Sequence, residues 1–172
     1  MKIKTKELSR AGLFLALGLI IPYVFHMLGG MAGQIFLPMH LPVILCGFLL
    51  GGRYGLIVGI ITPLLNSLLT GMPPIYPTGV AMAFELGTYG LISGYLYKRK
   101  RINMFISLIS AMLLGRLVSG AANYILLSMM GKKYMLEVFL ASSFITPIWG
   151  ILIQLILIPL LVKLINSNKE MR

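Results

Sequence analysis

Residues Leu41 to Gly94 read LPVILCGFLL-GGRYG-LIVGIITPLLNSLLT-GMPPIYPTG-VAMAFELGTYGLISG. Three apolar segments are separated by a short Gly/Arg turn and by a loop carrying Pro73, Pro74 and Pro77. Glycine gives the first connection backbone conformations closed to other residues, and proline stiffens the second. The third segment carries a single acid, Glu85. The pattern is that of helices crossing a bilayer, joined alternately on its two sides.

The rest of the chain agrees with it. Of its 172 residues, 58% are hydrophobic and 11% charged, and the mean hydropathy is +0.93. Apolar runs of about 20 residues recur along the chain, as bilayer spans require. They predict an all-α integral membrane protein, one domain over 1–172, with six transmembrane helices at roughly 8–28, 36–50, 54–69, 80–97, 104–129 and 139–164. The first apolar run follows a basic start but is long and lacks an A-x-A-type cleavage site, so it reads as a retained span.

Charge orients the bundle. There are 15 Lys and Arg residues against 4 acids, and they cluster at the ends of the apolar segments. With the N and C termini cytoplasmic, Lys2, Lys4, Lys6, Arg10, Arg53, Lys98–Arg101, Lys163, Lys169 and Arg172 all fall inside. Lys132 and Lys133 fall outside, and Arg116 falls within a span. That bias follows the positive-inside rule and predicts a multi-pass protein of a bacterial-type cell membrane. Nucleic acid is excluded as a partner, because no basic face interleaved with stacking aromatics lies outside the spans.

Charged groups at mid-membrane cost about 2.5–3.5 kcal/mol on insertion scales, so they face the interior and find partners. Glu85 and Arg116 are such groups. Two readings of them stand at this level: they neutralise each other, or they face a cavity and hold a polar ligand. Ala111, Gly115, Ser119 and Asn123 form one stripe at four-residue spacing, and Thr146, Gly150 and Gln154 form another, beside Trp149. Such stripes suit close helix packing or a pocket wall. His40 and Asn66 fall at the outer ends of their spans.

Several chemistries are absent. Cys46 is the only cysteine and reads as a small packing residue. Two histidines and four glutamates do not supply a metal centre, so no metal or cofactor is expected. Ser119 has no convincing histidine partner for nucleophilic catalysis. No phosphate-binding loop is present. The chain does not read as an enzyme.

The chain resembles the substrate-binding S components of energy-coupling factor (ECF) transporters. The resemblance covers essentially the whole length. It is carried by LPVILCGFLLGGRYGLIVGIITPLLNSLLTGMPP, by AMAFELGTYGLISGYLYKR, and by the basic N-terminus followed by the small pair Gly12-x-x-x-Ala16. The family commonly has alanine at both positions of that pair; here the first is glycine. The resemblance implies high-affinity binding of a B-vitamin-like molecule near the extracellular end, under lids formed by Gly29–Met39 and Gly71–Gly79. His40, Asn66, Tyr76, Glu85, Arg116, Asn123 and Trp149 would contribute to the pocket. Gly12 and Ala16 would dock on a membrane T component driven by two ATPase subunits. A carboxylate ligand, pantothenate being preferred, would anchor on Arg116; a neutral or cationic heterocycle would use Glu85 and Asn123 and stack on Trp149 or Tyr76. The competing classes are a secondary transporter and a small membrane scaffold or enzyme that needs no ATPase partner.

Overall fold

The computed structural model describes residues 5–27, 29 and 31–170. Lys2, Lys4 and Arg172, counted above as cytoplasmic charges, lie outside these residues, as does part of the first expected lid. Among the described residues the chain is helical and contains no strand. The helices are α1 (Thr5–Met27), α2 (Ala32–Phe36), α3 (His40–Leu50), α4 (Gly52–Thr70), α5 (Val80–Gly94), α6 (Met104–Met129), α7 (Leu136–Leu140) and α8 (Ile148–Glu170).

Among the described residues, five stretches are long and apolar enough to cross a bilayer: Thr5–Phe25, Ala32–Leu50, Gly52–Thr70, Met104–Met129 and Ile148–Ser167. The remaining expected span, 80–97, is α5, an α-helix of 15 residues continued by one wider turn, Tyr95–Arg99. At 1.5 Å per residue α5 alone covers about 22 Å, short of a hydrocarbon core of about 30 Å. The expected span 139–164 is also interrupted. Pro147 has no N–H to donate and crowds the preceding turn. The chain accordingly forms α7, a wide turn over Ala141–Ile145, and only then α8.

The centre of the bundle is α3, where His40 and every residue from Pro42 to Leu49 are buried. A helix apolar all round belongs in such a position. Its Val43, Ile44 and Phe48 pack with Leu86 and Tyr89 of α5, Leu108 of α6, and Ile158 and Val162 of α8. Helices α3, α4 and α5 meet backbone to backbone. A Cβ at Gly55 would overlap the main chain of Gly90, and one at Gly59 the main chain of Leu86 and Gly87. Small residues at these crossings give the close approach that membrane helices use in place of a hydrophobic drive.

At the opposite extreme is α1. Only 17% of its apolar window is buried, against 67% for Ala32–Leu50, so it lies on the periphery. Its Leu13, Ile20 and Val24 face outward, as do Leu113 and Leu117 of α6 and Ile156 and Leu160 of α8. An apolar surface this extensive is incompatible with water and suits lipid.

One end of the bundle is basic. Gly51, at φ 103°, closes α3 and starts α4 there. Lys98 donates to the carbonyl of Leu49 and satisfies the free end of α3. Tyr54 donates to Glu7 at 3.2 Å and ties α1 to the start of α4. The guanidinium of Arg99 lies 5.6 Å from the Tyr95 ring centre. Asn103 then caps α6 by accepting from the Phe105 N–H at 2.9 Å.

Candidate functional site

The other end of the bundle opens into a cavity of about 660 Å³. Three sets of side chains build its floor. His40 begins α3, Glu85 lies on the second turn of α5, and Arg116 lies midway along α6. They converge on one oxygen: Glu85 Oε1 is 2.9 Å from Arg116 Nη1 and 3.4 Å from His40 Nε2. Tyr89, one turn further along α5, donates its hydroxyl to the same oxygen at 3.1 Å. All four side chains are buried. The two residues pair, as the first reading left open by the sequence has it, and the pair also lines a cavity.

The local sequence explains the convergence. A Cβ at Gly115 would strike the Tyr89 ring, so glycine there lets Tyr89 pass under α6 to reach Glu85. One and two turns beyond Arg116 on α6 come Ser119 and Asn123, which also line the cavity. The Asn123 amide donates to the Ser119 carbonyl at 2.9 Å, which fixes the side chain along the helix.

Four of the seven residues expected in the pocket, His40, Glu85, Arg116 and Asn123, line this cavity. The other three do not. Asn66 is buried on α4, but its amide donates to the Gly18 carbonyl at 3.0 Å and the Thr62 carbonyl at 3.1 Å, so it ties α4 to α1. Tyr76 is exposed and donates to the Leu126 carbonyl at 3.1 Å, clasping the Pro-rich loop to α6. Trp149 is 62% exposed on the outer surface of α8. The Gly150 position beside it packs on the main chain of Ile35 and Phe36, so that stripe of α8 serves helix packing.

Both expected lids contribute to the cavity wall, through Gly33–Gln34 and Leu37–Met39 in the first and Gly71–Pro74 and Thr78 in the second. A third wall, of which only Thr146 was expected, completes the cavity. Tyr134, Val138, Ser142, Ser143 and Thr146, from the segment that precedes α8, also line it. The signal for it is present in the sequence: the adjacent Ser142 and Ser143 lie one turn before Thr146, immediately ahead of a proline. Of the docking pair, Gly12 is exposed with open space around its Cβ position, and Ala16 is half-buried. Ala11 and Gly18 are small residues of α1 that turn inward, Gly18 against Thr62.

The family model described as ECF transporter, substrate-specific component, matches residues 6–162. The chain belongs to this family. No curated protein matches the sequence. As an S component it is a multi-pass, substrate-binding membrane subunit of an ECF transporter. Membership implies a small-molecule substrate, a membrane T component and ATPase subunits, and a transport role rather than an enzymatic one.

Proposed function

We propose that this S component holds a B-vitamin-like small molecule in the cavity between α3, α5 and α6 and delivers it through an ATP-driven ECF module. The observation that carries the reading is the buried His40–Glu85–Arg116 cluster at the floor of a 660 Å³ cavity, at the end of the bundle opposite the basic residues. Ligand pockets usually measure about 300–1,000 Å³. On this reading α5, with its continuation to Arg99, is the fourth of six spans. The basic end with both termini faces the cytoplasm, and the cavity faces outward. The outward side of α1 bearing Gly12 and Ala16 docks on the T component. The Glu85 carboxylate already meets Arg116 and His40, which disfavours a stand-alone transporter driven by ions at that acid.

The test combines two measurements. Mass spectrometry of small molecules released from the purified protein should identify a vitamin-sized compound, and that compound should stabilise the protein against heat. Gly12→Leu, which fills open space on α1, should leave ligand binding intact while abolishing uptake with the T component and ATPases present. Absence of any retained or stabilising compound across a vitamin panel refutes the binding role. Full uptake by Gly12→Leu refutes the docking face.

A further inference from the structure

The charge of the cavity narrows the ligand, given the binding role proposed above. The lining contains one carboxylate, Glu85, and one permanent cation, Arg116, and the two are in contact at 2.9 Å. With Arg116 compensating the only carboxylate, His40 reads as the neutral imidazole, its Nε2–H donating to Glu85 and its Nδ1 remaining an acceptor. Every other polar group of the wall is an uncharged amide or hydroxyl, among them Gln34, Ser119, Asn123, Ser142 and Thr146. A carboxylate entering this site would meet a guanidinium already occupied by a carboxylate, and two like charges would share one buried cation. Desolvating an anion without its own partner is strongly unfavourable.

Two polar atoms of the cluster have no partner among the described residues: Arg116 Nη2, a donor, and His40 Nδ1, an acceptor. Both belong to side chains at least nine-tenths buried, and both side chains contact the same oxygen of Glu85. Neither atom is open to the cavity, so the cluster meets a ligand as a closed, charge-balanced unit. We propose that the site selects an uncharged ligand and rejects the corresponding carboxylate. Amides, alcohols and neutral heterocycles meet that requirement. The Glu85–Arg116 pair then acts as a neutral, dipolar floor rather than as an anion anchor.

Matched pairs differing only in that group test the proposal. Nicotinamide against nicotinate and pantothenol against pantothenate serve as probes, with dissociation constants measured on the purified, detergent-solubilised chain and the charge of any co-purified compound read at neutral pH. The uncharged member should bind at least tenfold more tightly in each pair that binds, and a co-purified ligand should be neutral. Glu85→Gln frees the Arg116 charge and should shift the preference at least tenfold toward the carboxylate. Tighter binding of the carboxylate to the wild-type chain, a co-purified anion, or an unchanged preference in Glu85→Gln overturns the inference while leaving the transport role in place. A chain that retains no compound and is stabilised by none overturns the transport role itself, and the inference with it.

Discussion

The contact between Glu85 and Arg116 makes a quantitative prediction about folding. The charge-bearing atoms approach to 2.9 Å, and delocalisation over both groups puts the effective separation on the order of 4 Å. At the effective dielectric of about 20 that describes protein sites, such a pair is worth about 4 kcal/mol. Removing one partner of a buried pair costs about 3–5 kcal/mol, because the other charge is left uncompensated. Glu85→Gln and Arg116→Met should each lose stability on that scale. The double substitution leaves no stranded charge, so it should be no less stable than either single one, with a coupling energy of about 3–5 kcal/mol. Additive losses would instead total about 6–10 kcal/mol, comparable with the whole stability of an ordinary domain. Equilibrium unfolding in mixed micelles, read on the wild type, the two singles and the double, measures the cycle. Single effects that add to within about 0.5 kcal/mol would show that the two side chains do not interact, and would remove the basis for treating the floor of the cavity as neutral.

Four further outcomes follow from particular contacts. Gln154 is 1% exposed, and neither atom of its amide has a partner among the described residues; Gln154→Leu should raise stability by about 1–3 kcal/mol, and a loss measured in the same unfolding assay would mean that the amide is paired. Gly90→Val forces a side chain into the main chain of Gly55 and should abolish the folded, monodisperse peak in size-exclusion chromatography; a well-folded variant would contradict the backbone-to-backbone packing of α4 and α5. Asn66→Ala removes the tie to Gly18 and should cost about 1–3 kcal/mol of stability while ligand preference stays as in the wild type; a changed preference would place Asn66 in the pocket. Trp149→Leu should leave ligand affinity unchanged, since the indole is on the outer surface, and a tenfold loss in a binding titration would contradict that placement.

The sequence carried the helices and the floor of the cavity but only part of its wall. Apolar run lengths sufficed for five helices of spanning length among the described residues, because a bilayer imposes such lengths on any chain that crosses it. Glu85 and Arg116 were legible because charge within a span requires a partner. Trp149 was misplaced because neighbours in sequence were read as neighbours in space. Successive helix positions are about 100° apart, and the face carrying Gly150 and Gln154 turns inward while Trp149 turns out. Asn66 lies near the C-terminal end of α4, yet its turn faces α1, and no periodicity in one helix reveals which neighbour packs on it. The short α5 and the break before α8 show the limit of hydropathy. Tyr95–Tyr97 extends the apolar stretch while the turn widens, and Pro147 interrupts a stretch that composition presents as continuous.

The cavity joins a fixed half to an adaptable half. His40 and Glu85 stand on α3 and α5, which pack through Gly47, Gly90 and Gly94 with no room for a side chain between them. Arg116 is brought to the same point by Gly115 resting on Tyr89. These positions are set by the core, so the polar floor is organised before a ligand arrives, which lowers the ordering cost of binding. The roof is different. Its segments 33–39, 71–74 and 134–146 contribute little to the buried core beyond Leu37, Pro38, Met39 and Ser143. Segments with few buried contacts open at lower free energy than the core that carries them. A bundle built this way can admit a ligand by moving its roof alone, while the charge-balanced floor stays fixed below. Substitutions in the roof should therefore alter the rates of ligand entry and exit, whereas substitutions under Glu85 should alter folding and ligand preference together.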